Sequence, residues 1–130
     1  MQQSKDYQNY FSQLEAGLPD HRDKRGKRHN LSFVCTCTII ALMNGRTTPS
    51  GIQRYIKNRF LDLCIAIQYT AHAPISCSQF WRIFGELDWA SWNAVNELFF
   101  GITIDIRLWT EEIRELGNSI NPYFLVFYKK

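Results

Sequence analysis

The residues that most strongly suggest a chemical role lie between Pro19 and His29, where basic side chains are concentrated. This stretch holds five Lys or Arg and only two Asp: Arg22, Lys24, Arg25, Lys27 and Arg28, with Asp20 and Asp23. Clustered cations suit a polyanion, because each phosphate that they neutralise releases condensed counterions and strengthens binding. We therefore predict that these five cations contact phosphate groups. The alternative is a solvated run of charge that only solubilises the start of a helix.

A second candidate surface is predicted at the start of a helix near residue 76. The sequence Ser76-Cys77-Ser78-Gln79 is a capping-box pattern, in which Ser76 accepts a hydrogen bond from a free N–H and Gln79 reaches back to another. Ser76, Ser78, Gln79 and Arg82 are the residue types that contact phosphates and base edges from a helix start. The alternative is that Ser76 and Gln79 only cap the helix while Arg82 pairs with Glu86.

The composition indicates one folded domain without a membrane span or a metal centre. The chain has 130 residues, is 45% hydrophobic and 15% aromatic, and carries a formal charge of +3, so its apolar content is sufficient for a core. The longest apolar run, Leu31 to Met43, is too short to cross a bilayer, and the polar start is unlike a secretory signal. We expect a cytoplasmic, nucleoid-associated protein with reduced, mostly buried cysteines. The Cys and His spacing predicts no metal site and no cofactor.

The hydrophobic pattern predicts a mainly α fold, a small multi-helix domain. The first predicted elements are a helix over 5–15 with an apolar stripe and an all-apolar helix from Leu31 to Met43 that is capped by Asn30. A third helix begins at Thr48-Pro49, and a segment 61–67 extends or follows it. After these we predict a helix from Ser76 to about Glu86, a helix from Trp89 to about Phe99 capped by Asp88, a short extended segment 102–104, and a last helix over about 106–117.

The second and third of these helices are compatible with a helix-turn-helix arrangement, because a short turn containing Gly45 joins them. The third helix has an apolar face that includes Ile52 and Phe60, and its opposite face is basic. Lys57 and Arg59 on that basic face are predicted to add weakly to the attraction for phosphates.

The predicted helix over 89–99 carries an apolar stripe made of Trp89, Trp92, Val95, Leu98 and Phe99. We expect these rings to form core rather than a platform for stacking bases, because bulky aromatic side chains dominate buried area. Residues 118–130 form a separate apolar, strand-like tail after a helical domain of residues 1–117. No other segment is clearly suited to pair with this tail, and if it were exposed it would promote association. We therefore expect that it packs on the helices or that it marks the point where a sheet would begin.

Several of these motifs occur in an order and spacing typical of one family. They are Leu18-Pro19-Asp20-x-Arg22, Gly26-Lys27-Arg28-His29-x-Leu31, Asn44-Gly45, Ile52 with Tyr55, Pro74-x-Ser76-x-Ser78, and Phe80, Arg82 and Leu87-Asp88. Over about residues 10–100 the chain resembles the N-terminal, transposase-associated domain of bacterial insertion-sequence transposases of the ISAs1 (H-repeat-associated) DDE type. The resemblance implies a DNA-binding module that recognises transposon ends.

In that family a catalytic domain follows, and its three carboxylates hold two metal ions for strand cleavage and joining. The resemblance leads us to expect Asp-Gly-Lys soon after Gly117, where this sequence has Asn121-Pro122 and the apolar tail. We therefore expect a truncated module that is not an enzyme by itself. Alternatives are a protein-interaction fragment that associates with itself or with full-length transposase and inhibits it, and a relic without function.

Overall fold

The structure, a computed structural model, describes residues 2–20, 29–46, 48–104 and 127–129. These residues form six helices and two short strands: α1 (Gln2–Gly17), α2 (Leu31–Met43), α3 (Pro49–Asn58), α4 (Phe60–Ile67), α5 (Cys77–Glu86), α6 (Trp89–Phe100), β1 (Ile102–Ile104) and β2 (Phe127–Lys129). The prediction of a mainly α fold is confirmed. The predicted helix over 106–117 lies outside the described residues, and the domain boundary at residue 117 stays a prediction.

Helix α2 is the centre of the core, and every residue from Leu31 to Leu42 is buried. Its first turn is capped as predicted, because the Asn30 side chain accepts a hydrogen bond from Phe33 N at 2.8 Å. Helices α1, α3 and α4 all pack against α2. A helix that is apolar on every side must be covered by other elements in order to be shielded from water.

Helix α1 begins before and ends after the predicted range of residues 5–15, since it runs from Gln2 to Gly17. Tyr7, Tyr10 and Leu14 are buried, and Phe11 packs partly buried against the same core. The helix contacts α2, α4 and α6. The stripe therefore identifies the buried face correctly.

Helices α3 and α4 are separate, although the apolar pattern places Ile52 and Phe60 on one helix. The break falls at Arg59, whose backbone (φ −114°, ψ 25°) leaves the helical region. Thr48 caps α3 as predicted, accepting a hydrogen bond from Gly51 N at 3.1 Å. Helices α2 and α3 pack on each other across a short turn, an arrangement common to any helical hairpin, so the helix-turn-helix core stays a prediction.

Helix α6 buries a polar residue that the apolar stripe omits. Trp89, Trp92 and Asn96 are buried, whereas Leu98 is 74% exposed, so the prediction for Leu98 is wrong. Trp92 follows Trp89 by three residues and Asn96 follows Trp92 by four, so all three lie on the face of α6 that points into the core. Asn96 tolerates burial because the Tyr10 hydroxyl donates a hydrogen bond to its Oδ1, and Trp92 Nε1 donates to that hydroxyl at 2.7 Å.

The expectation that the tail has no strand partner is wrong for its last residues. Strand β2 pairs with β1 in antiparallel register, with Thr103 opposite Tyr128. The side chain of Asn93 fixes β1 to α6, because its Nδ2 donates to Ile104 O at 3.1 Å and its Oδ1 accepts from Ile104 N at 3.0 Å. Residues 118–126 lie outside the described part of the chain.

The four cysteines are free thiols, and their burial is only partly as expected. Cys35 and Cys37 are buried and Cys64 is half-buried, but Cys77, the first residue of α5, is exposed. Burial raises the pKa of the Cys37 thiol well above its ordinary value of 9.0, and the neighbouring Cys64 and Cys35 add to the shift. Cys37 therefore stays protonated at neutral pH.

Candidate nucleic-acid interface

The basic stretch that the sequence singles out lies almost entirely outside the described residues. This applies to all five predicted phosphate contacts, Arg22, Lys24, Arg25, Lys27 and Arg28. The structure does describe the two helices that flank the stretch. Asn30 Nδ2, at the start of α2, donates a hydrogen bond to Glu15 Oε2 in the last turn of α1 at 3.1 Å. The end of α1 and the start of α2 are therefore linked directly by a side-chain hydrogen bond.

The start of α5 presents the second predicted set of residues. Ser76, Ser78 and Arg82 are exposed and Gln79 is half-buried. Ser76 caps the helix by accepting a hydrogen bond from Gln79 N at 3.3 Å, and its Oγ lies 3.5 Å from Ser78 Oγ. Within the described chain the return hydrogen bond from the Gln79 side chain is not formed. Ser76 is therefore a cap, and Gln79 keeps its side-chain amide available.

The opposite face of α5 is buried, which fixes the direction in which the polar residues point. Phe80, Trp81, Ile83 and Phe84 all lie in the interior. Arg82 is on the outer face and forms no ion pair with Glu86, or with any other acidic residue in the parts of the chain that the structure describes. The alternative role for Arg82, an i,i+4 pair, is therefore not seen. Its guanidinium remains able to meet a ligand.

A third cationic surface lies on α3 and the turn before it, where the sequence predicts only a weak contribution from Lys57 and Arg59. The guanidinium carbon of Arg46 lies 5.6 Å from the centre of the Tyr55 ring, and that of Arg59 lies 6.0 Å from the same centre. Together with Arg54 these side chains line an open groove of about 340 Å³. We call it the arginine groove; its lining residues are Arg46, Gly51, Arg54, Tyr55, Asn58 and Arg59.

The backbone places Arg46 at this groove through the way in which α2 ends. Gly45 adopts a left-handed φ of +89°, its N–H bonds to Leu42 O at 3.1 Å, and Arg46 N bonds to Ala41 O at 3.0 Å. These two hydrogen bonds are those of a Schellman motif, which closes a helix and redirects the chain. Arg46 thus leaves α2 with its backbone held in place beside α3.

The arginine groove has little acidic compensation. Arg59 lies 3.7 Å from Asp62, but both side chains are largely exposed, at 60% and 73%. Exposed ion pairs contribute at most about 1 kcal/mol, so Asp62 only weakly neutralises Arg59. No acidic residue lines the described groove. Lys57, predicted as a weak addition together with Arg59, is also exposed on α3.

One sequence signal could have revealed part of this groove. Tyr55 and Arg59 are four residues apart, a spacing at which helical side chains are neighbours, and Arg54 lies on the polar face of α3. Arg46 could not have been found this way, because its approach to Tyr55 depends on how α2 packs on α3. Sequence reasoning missed Arg46 for that reason, whereas Arg54 lies on the face that the sequence identifies as basic but was not singled out as a contact.

The arginine groove and the polar start of α5 lie on helices that contact each other. Helix α3 packs against α5, and Gln53 Nε2 on α3 donates a hydrogen bond to Ile75 O, just before α5, at 3.1 Å. The arginine groove and the start of α5 are therefore parts of one packed unit. A ligand that engages both would meet a scaffold with a fixed geometry.

The described residues contain no cluster of three or more His, Cys, Asp or Glu that could hold a metal ion. His72 is exposed. None of the helices within these residues combines the length and apolarity needed to cross a bilayer.

Comparison with known proteins gives one match. The sequence model of the protein family described as DDE_Tnp_1-associated matches residues 10–98, more than half of the chain. The match covers α2 to α5 completely, and with them both described cationic surfaces. No curated protein and no solved structure matches the chain.

Proposed function

Because the chain belongs to the DDE_Tnp_1-associated family, and its function is therefore transposase-related, we propose that it is a DNA-binding module of a bacterial insertion-sequence transposase. Its partner is the DNA of the transposon ends, and its place of action is the nucleoid in the cytoplasm. The observation that carries the proposal is the outer face of α5, which exposes Ser78 and Arg82 opposite a buried aromatic face.

The physical basis is that a rigid helix start can present donors to a duplex at little entropic cost. Phosphate contacts position a protein on DNA, and contacts to base edges specify the sequence. Arg82 is suited to a phosphate or a guanine edge, and the Gln79 amide is suited to adenine. The five cations between Arg22 and Arg28 would add contacts to phosphates on the same duplex.

The proposal gives the domain a binding role without strand-cleaving chemistry. In transposases of the type that the chain resembles, the carboxylates that hold the two metal ions belong to a separate catalytic domain. Incubating the purified chain with supercoiled plasmid and Mg²⁺ or Mn²⁺ tests this: the plasmid should stay supercoiled. Metal-dependent nicking that copurifies with the chain would contradict a purely binding role.

The salt dependence of DNA binding tests the main proposal. Fluorescence anisotropy with a labelled duplex at several NaCl concentrations should give a slope of log K on log salt of about −0.9 per phosphate contact. Arg82→Ala should make the slope less steep by about one contact. Lys5→Ala is the matched control, because it removes one exposed positive charge from α1. A wild-type slope near zero would overturn the proposal.

A second candidate function is association with another transposase chain. It is favoured by Leu61 and Ile65, which are one helical turn apart on α4 and are each 74% exposed. Adjacent exposed apolar residues are typical of contact surfaces. Light scattering after size exclusion should show an oligomer that Leu61→Ser/Ile65→Ser dissolves. Leu98→Ser is the control, since Leu98 on α6 has the same exposure. A monomeric wild-type chain would rule out association between copies of this chain.

A further inference from the structure

We propose that the arginine groove is a distinct phosphate-binding site that holds the phosphodiester backbone of a nucleic acid. It is separate from the α5 residues and from the basic stretch before α2. The assignment to DNA rests on the function proposed above, whereas the assignment to phosphate groups rests on the groove alone.

The first argument is the charge that the groove concentrates. Arg46 from the turn and Arg54 and Arg59 from α3 and its end line one concavity without an acidic residue. Like charges placed this close repel each other, and a bound anion would relieve that repulsion. Asp62 reaches only Arg59. The groove therefore carries an excess of positive charge that is open to solvent.

The second argument is the geometry of the guanidinium groups around Tyr55. Arg46 and Arg59 both lie within cation–π range of this ring. A guanidinium that stacks through its flat face keeps its in-plane N–H groups available for two parallel hydrogen bonds to a phosphate. Tyr55 thus holds two side chains of a type suited to phosphate near one point of the groove.

The third argument is that the parts of the groove are rigid before a ligand arrives. Tyr55 is half-buried between Ile52 and Ile56 along α3, and both of these are buried. The backbone of Arg46 is held by its hydrogen bond to Ala41 O. A site whose side chains are already restrained loses less entropy when it binds.

The fourth argument is space. At Gly51, which lines the groove, an added Cβ would lie only 3.0 Å from Thr48 Oγ1, so glycine avoids that close contact and keeps the N-cap geometry. The groove has a volume of about 340 Å³. A hydrated phosphodiester group fits such a volume.

The test observes the arginine side chains directly. The Nε–Hε signals of Arg46, Arg54, Arg59 and Arg82 are assigned in ¹⁵N NMR spectra with single Arg→Lys variants of the full chain. The chain is then titrated with inorganic tripolyphosphate and, separately, with a short DNA duplex. We expect the three groove signals to shift in both titrations, and to shift at lower tripolyphosphate concentration than the signal of Arg82.

The outcomes separate this proposal from the proposed function. Groove signals that shift with tripolyphosphate but not with DNA would support a phosphate site and overturn its assignment to DNA. An Arg82 signal that shifts with DNA while the groove signals stay still would support the proposed function and overturn the groove. Groove signals that move in neither titration would also overturn it.

A variant in which the groove loses its charge gives a second readout. Arg46→Ala/Arg54→Ala/Arg59→Ala should reduce the salt slope of DNA binding by about 0.9 for each phosphate that the variant no longer neutralises. The control Lys5→Ala removes an exposed positive charge from α1, which does not line the groove. Circular dichroism establishes that each variant folds. Equal slopes for the groove variant and the wild type would contradict the proposal.

Discussion

Replacing Tyr10 by Phe removes one oxygen atom at the junction of α1 and α6. Tyr10 is fully buried, and its hydroxyl accepts a hydrogen bond from Trp92 Nε1 at 2.7 Å and donates one to Asn96 Oδ1. Burial raises the pKa of the Tyr10 phenol well above its ordinary value of 10.0. The hydroxyl therefore keeps its proton at neutral pH and acts as donor and acceptor at once.

The expected cost follows from what the substitution leaves behind. The phenyl ring still fills the space between Phe99 and Phe100, whose ring centres lie 5.5 and 5.2 Å away, so no cavity is created. Both the indole N–H of Trp92 and the amide oxygen of Asn96 lose a buried partner. A buried polar group left without its hydrogen bond costs about 1–3 kcal/mol. We expect Tyr10→Phe to lower the free energy of unfolding by about 2–4 kcal/mol.

Urea denaturation followed by far-ultraviolet circular dichroism measures this cost, and the melting temperature should fall by on the order of 10 °C. Tyr69→Phe is the matched control, because the half-buried Tyr69 uses its ring against Phe11 and Phe33. Within the described residues its hydroxyl makes no hydrogen bond. If Tyr10→Phe proves no more destabilising than Tyr69→Phe, the hydrogen-bonded network does not hold α1 to α6.

Three further predictions concern stability. Because burial raises the pKa of Cys37 above 9.0, the unfolded chain loses this proton first as the pH rises, so stability should fall above about pH 9 by up to about 1.4 kcal/mol per unit. Cys37→Ala should flatten that fall in urea titrations. Ser76→Ala should cost about 1 kcal/mol through loss of the cap, whereas Ser78→Ala should stay within about 0.5 kcal/mol; equal costs would contradict the capping role. Gly45→Ala should cost about 1–2 kcal/mol because of its positive φ, while Gly85→Ala on α5, with open space around its Cβ, should be neutral or stabilising in thermal melts.

The features that the sequence predicts well are those set by neighbours in the chain. Asn30, Thr48, Ser76 and Asp88 each accept a hydrogen bond from the N–H three residues ahead. A cap depends on only four consecutive residues, so its type and position can be read directly. The buried faces of α1 and α5 follow the helical period in the same way.

The features that the sequence does not predict depend on contacts between distant segments of the chain. Asn96 is buried because Tyr10, 86 positions earlier, supplies a partner for it. The pairing of β1 with residues near the end of the chain depends on the packing of everything between them. Arg46 meets Tyr55 only after α2 has ended and α3 has packed against it. No local pattern carries this information.

The buried helix α2 also decides which way the cationic residues of α3 face. Its threonine hydroxyl groups bond within the helix, since Thr36 Oγ1 donates to Ser32 O at 2.7 Å and Thr38 Oγ1 donates to Val34 O at 2.8 Å. These two threonines therefore need no polar partner from a neighbouring helix, and α3 packs with Ile52 and Ile56 buried in the same core. Once that face lies against the core, the helical period turns Arg54 and Asn58 towards solvent. The outward display of the arginine groove is thus a consequence of core packing, and a polar substitution in α2 would disturb the groove without touching it.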